Sequence, residues 1–220
     1  RWTEQDFEVA TWNITYLLIA PRRVYRNVYY HKQTKNTWSR DDPAMLLLVS
    51  AGLAVMGFLW SVFYARYSFI GVIRTMLSMV LIDFALVGAL IATTLWFLCN
   101  RFLTHSSHTH ATDQQVEWAY AFDIHVNSFL PLFFQLYVAQ LFLAPLLTRS
   151  NWICLFAGNT LYLAALSQYV YVTCKGYNAL PFLIRSELML SPIVLLIVLY
   201  IVSLLGFNVS AHVLGFYFGT

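Results

Sequence analysis

Five times between residues 44 and 207 the chain runs apolar for close to the ~20 residues that an α-helix needs to cross a hydrocarbon core. The runs fall at about 44–64, 70–98, 128–147, 152–173 and 188–207, and none alternates polar with apolar as a lipid-facing barrel strand would. Composition agrees: 60% of residues are hydrophobic, 10% are charged and the mean hydropathy is +0.63. Soluble domains carry roughly 45–50% apolar and about 25% charged residues, so water is not this chain's main solvent. The expectation is an all-α polytopic membrane bundle of five spans over residues 44–220, with amphipathic, interfacial helices in a basic N-terminal segment, 1–43.

Within that segment Thr3 and Asp6 resemble a capping box, and Phe7, Thr11, Ile14 and Leu18 recur at helical spacing until Pro21. This helix is too polar to span. Arg22, Arg23, Arg26, Lys32 and Lys35 then alternate with Tyr25, Tyr29 and Tyr30, a mixture favoured at a lipid surface. Residues 1–40 are therefore expected to lie on the bilayer, and Asp41-Asp42-Pro43 to cap the first span. The chain starts at Arg1 rather than at a methionine, so a preceding tail is expected. Residues 1–20 lack the marks of a cleavable signal, which leaves insertion to the first span.

Orientation follows from the cations, whose translocation is disfavoured. Residues 1–43 carry seven Lys and Arg; Arg101, Lys175 and Arg185 fall in connections expected on the same side, against Arg66, Arg74 and Arg149 opposite. The N-terminus is expected in the cytosol and the C-terminus in the lumen. On that topology the sequons at Asn13 and Asn208 are poorly placed for glycosylation. Cys99, Cys154 and Cys174 form neither a metal spacing nor an even disulfide set.

Asp83 is the most informative interior residue, because an ionised carboxylate near mid-span costs roughly 2.5–3.5 kcal/mol on insertion scales. It is expected to be protonated or paired, with Asn159, Gln135, Gln140 or the Thr93-Thr94 pair as partners. Entering the third span, Asp123 and Asn127 share one helical face while His125 points away, and Pro131 marks a kink or hinge. No nucleophile stands beside His125, so intramembrane hydrolysis is unsupported. His105, His108, His110 and Asp113 read as a solvated polar loop rather than a metal site. No cofactor is indicated, and the basic stretch lacks any recognisable RNA-binding module.

Several longer strings are more specific. They are Pro21-Arg-Arg-Val-Tyr-Arg-Asn27, Trp38-Ser-Arg-Asp-Asp-Pro-Ala44, Glu117-Trp-Ala-Tyr-Ala-Phe-Asp-Ile-His-Val-Asn-Ser-Phe-Leu-Pro131, and Gly176-Tyr-Asn-Ala-Leu-Pro-Phe182. Taken in order along the whole chain, they resemble the Unc-fifty (uncoordinated-fifty) family of Golgi membrane proteins. The resemblance implies a non-enzymatic protein of the Golgi membrane or early secretory pathway, associated with large Arf guanine-nucleotide exchange factors of the Gea/GBF type and with trafficking of membrane cargo receptors. Arg22, Arg23, Arg26, Lys32, Lys35, Arg40, Asp41 and Asp42 are the expected surface for that partner and for anionic lipids. Two rivals stand beside it. One is a cargo-assembly chaperone pairing through Asn159, Gln168 and Tyr171; the other is a proton- or ion-coupled transporter built on Asp83.

Overall fold

The computed structural model describes residues 4–26, 37–40, 43–65, 68–104 and 115–218, and for 4–10, 26 and 65 the backbone only. The described residues form eight helices, α1 (Glu4–Ile19), α2 (Pro21–Arg26), α3 (Ala44–Tyr64), α4 (Phe69–Leu103), α5 (Trp118–Leu147), α6 (Trp152–Tyr177), α7 (Ser186–Ser203) and α8 (Val209–Phe218). Among the described residues α3 to α7 are long and apolar enough to cross a membrane, and the only extended pairing is one bridge between Thr104 and Leu183.

Helix α5 lies at the centre, packed against α3, α4 and α6. Residues 124–131 of it are buried on every side, as a helix surrounded by others must be. Helix α7 rests on the rim against α6, and only 11% of its span is buried, against 39% for α5. Two close approaches set the spacing. A Cβ on Gly88 of α4 would meet His125 Nε2 at 2.2 Å, and one on Gly176 of α6 would meet Ile124 Cγ1 at 2.8 Å. Three of the spans carry wide π-type turns, at Ser61–Ala65, Met79–Leu86, Cys99–Leu103 and Phe133–Ala139, the last directly after Pro131. Such turns are uncommon, and they often sit at functional positions.

The boundaries expected from sequence shift in physical ways. At 35 residues α4 is about 50 Å long, well beyond the hydrocarbon thickness of about 30 Å, so its last turns project past the apolar run. Helix α5 begins at Trp118 rather than near 128 and therefore carries Asp123, His125 and Asn127 as helical residues. Pro43 is itself the N-cap of α3 and no side chain caps it, while Asp41 and Asp42 lie outside the described residues. The last span ends at Ser203, and the chain turns at Gly206 (φ 137°) into α8, which returns into the bundle.

Helices α1 and α2 are docked on protein rather than resting on lipid alone. Leu17, Val24 and Tyr25 join the core that holds Met45, Val49, Phe129 and Val172, with α1 against α3 and α5 and α2 against α6. The buried face of α1 runs through Asn13 and Leu17, while Thr11 and Leu18, on the stripe read from the sequence, are exposed.

Candidate functional site

Three connections converge at one end of the bundle, which we call the strap end after residues 37–40. The Glu117 carboxylate, at the N-terminus of α5, accepts from the backbone N–H of Trp38 (3.1 Å) and of Ser39 (3.3 Å). One and a half turns further on, Asp123 accepts from the Arg40 N–H at 2.7 Å, and the Arg40 guanidinium reaches both Asp123 (3.7 Å) and Asn127. Trp38 fits between Tyr120 and Phe182, at 6.4 and 5.8 Å between ring centroids. Asn100 exchanges two hydrogen bonds with Val116, and Ile184 N–H donates to Leu103 O at 2.8 Å. Two carboxylates and one guanidinium thus fasten the segment that leads from α2 to α3.

This alters one expectation. Arg40 is turned inward, with its side chain and that of Asp123 only 22% and 23% exposed, so it belongs to the strap and not to an open basic surface. Arg22 and Arg23 are exposed on α2, and Arg23 lies over the Tyr16 ring at 5.3 Å from its centroid. Tyr25, from the same helix, is buried beside Asn127; burial pushes its phenol up, while Asn127 and Arg40 act in the opposite sense. The Arg26 side chain and all of Lys32, Lys35, His105, His108, His110 and Asp113 lie outside the described residues.

His125 points away from Asp123 and Asn127, as the helical spacing requires. Its Nε2 meets the Phe84 carbonyl at 3.2 Å and its Nδ1 the Tyr169 hydroxyl at 2.8 Å. A carbonyl can only accept, so the neutral ring with its proton on Nε2, accepting from Tyr169 at Nδ1, satisfies both. Phe84, Phe122 and Phe129 surround it at 5.4–5.8 Å, which makes it a packed interior group.

Asp83 lies on the π-type turn of α4 and is held by two phenols, Tyr137 at 3.0 Å and Tyr217 at 2.5 Å. Tyr137 itself sits on the π-type turn of α5, and Tyr217 comes from α8. None of the partners expected from sequence is used. Gln140 pairs with Tyr162, Gln135 with Gln168, and Thr93 and Thr94 bond their own helix. Asn159 closes the turn between α7 and α8, donating to Ser203 (2.9 Å) and Phe207 O (2.8 Å) and accepting from Val209 N–H (2.9 Å). Asn159 and Gln168, expected to pair with cargo spans, are thus occupied within the chain. Helix α8 and Tyr217 were missing from the sequence reading. The available signal was Asn208, whose side chain accepts from Ala211 N–H at 3.0 Å as a helix N-cap does, ahead of a short apolar run.

The three cysteines are buried free thiols, and among the described residues no three His, Cys, Asp or Glu side chains cluster as metal ligands do. Fold and site together define a polytopic α-helical membrane protein whose polar groups fasten its own helices and its N-terminal strap.

The UNC-50 family model matches residues 1–218, and the chain belongs to that family. It is 46% identical to Protein unc-50 homolog of Dictyostelium discoideum over its whole length and 84% of that protein. It is 45% identical to Protein GMH1 homolog of Schizosaccharomyces pombe, covering 94% of that protein. Against Protein unc-50 homolog of Homo sapiens the identity is 44%, over 99% of this chain and 83% of the human one. No solved structure matches.

Proposed function

We propose that this chain is a Golgi membrane trafficking factor whose strap end faces the cytosol. There it recruits or positions a large Arf guanine-nucleotide exchange factor of the Gea/GBF type and so supports transport of membrane cargo. The observation that carries the reading is the seating of α2: Val24 and Tyr25 anchor it in the core while Arg22 and Arg23 stay exposed, a fixed basic surface instead of a loose tail. The family resemblance supplies the partner, and the lysine and arginine distribution supplies the orientation.

Recruitment combines two weak contacts. Anionic lipid attracts surface cations by about 1 kcal/mol each, and a protein contact made beside that lipid adds to it, so neither needs high affinity alone. Charge reversal of Arg22, Arg23 and Arg26 is expected to release the exchange factor from Golgi membranes while this chain stays in them. Unchanged recruitment would overturn the assignment.

A further inference from the structure

We propose that a cavity between α4, α6 and α7 is a binding site for one acyl chain of an anionic glycerophospholipid, with the headgroup held by Arg101 and Arg185. The cavity measures about 300 Å³, at the lower end of the roughly 300–1,000 Å³ typical of small-ligand sites. Leu90 and Thr94 of α4, Val170 and Thr173 of α6, and Met189 and Pro192 of α7 form its walls.

Its chemistry is decided by where the hydroxyls point. Thr94 Oγ1 donates to Leu90 O at 2.8 Å, Thr173 Oγ1 to Ser128 Oγ at 2.9 Å, and the Tyr169 hydroxyl is engaged by His125. Three hydroxyl side chains line the cavity, and each one's proton is donated inside the protein. What remains to meet an occupant is mostly hydrocarbon and offers no free hydroxyl proton, so a polar ligand would lose most of its own hydrogen bonds on entering. The occupant is therefore an apolar chain, which the surrounding bilayer supplies.

Its head is selected by the rim towards the strap end. Arg101 stands seven residues beyond Thr94 on the same helix, on its terminal π-type turn, and Arg185 stands four residues before Met189. The two segments are fastened together by the bond from Ile184 N–H to Leu103 O and by the Thr104–Leu183 bridge, and both arginines are exposed. Of the other charged side chains at these ends of α6 and α7, Lys175 lies over the Tyr171 ring at 5.2 Å and Glu187 opens α7. Guanidinium groups suit phosphate geometry, so the rim selects an anionic phosphate head above an apolar slot.

The test is native mass spectrometry of the detergent-purified full chain, titrated with phosphatidylinositol or phosphatidylcholine of matched chains. We expect one phosphatidylinositol per chain, retained roughly tenfold better than phosphatidylcholine. Arg101→Ala with Arg185→Ala is expected to abolish that preference, and Thr94→Trp to abolish the bound lipid. The double variant changes two exposed side chains, so it remains decisive even if Thr94→Trp folds poorly. Reversal of Arg22 and Arg23 is expected to leave the bound lipid in place, which separates this site from exchange-factor recruitment. Equal retention of the two lipids, persistence of the preference in the double variant, or competition by glycerophosphoinositol as strong as by the intact lipid would each overturn the proposal.

Discussion

The strap end and the Asp83 cluster solve the same problem, a carboxylate that must be held, with different partners. At the strap end Asp123 meets a guanidinium and a backbone N–H at the edge of the bundle. In mid-span Asp83 meets two neutral phenols. Near water, opposite charges can meet while part of their hydration is kept, so the desolvation cost is modest. In hydrocarbon a second charge would add its own insertion cost, and hydroxyl donors stabilise a carboxyl group without one. Helix contacts on the interior side are also tighter, with Gly88 against His125 leaving no room for a methyl group.

That contrast can be broken in four places. Gly88→Leu drives a side chain into His125 and is expected to destabilise by about 3 kcal/mol, the upper end for overpacking, read as a lowered midpoint in thermal unfolding in detergent. Arg40→Ala removes the charged partner of Asp123 and Asn127 and is expected to cost about 2 kcal/mol. A double-mutant cycle with Asp123→Asn should recover most of that as coupling; purely additive effects would mean that the pair holds nothing. Tyr217→Phe removes one of the two hydroxyl donors to Asp83, about 1 kcal/mol, and is expected to loosen α8 enough to speed chymotryptic cleavage after the exposed Phe207. Asp83→Asn keeps an acceptor oxygen for a phenol and is expected to change stability by less than about 1 kcal/mol. A loss as large as that of Arg40→Ala would show that the negative charge itself is required in mid-span.

The spans were legible because an apolar run of the right length has few alternatives in a chain this hydrophobic. The split of Asp123 and Asn127 from His125 was legible too, since it depends only on helical spacing. What escaped depends on which helices become neighbours. Nothing local in Met79–Leu86 says that Tyr137 and Tyr217, 54 and 134 residues away, will face Asp83. Arg40 was grouped with the surface cations because it follows a basic stretch, and only its contact with a helix beginning at Trp118 shows that it is a fastening. Helix α8 is ten residues long, too short to stand out as a span, and Asn208 drew notice as a sequon before it could be read as a cap.

The 134 residues between Asp83 and Tyr217 carry a consequence for biosynthesis. A ribosome adding roughly 5–20 residues per second needs on the order of ten seconds to go from one to the other. Throughout that interval the carboxyl group of α4 is in the membrane without the second of its two phenols. Helix α8 thus completes the Asp83 cluster late in synthesis, with a contact that the earlier helices cannot supply.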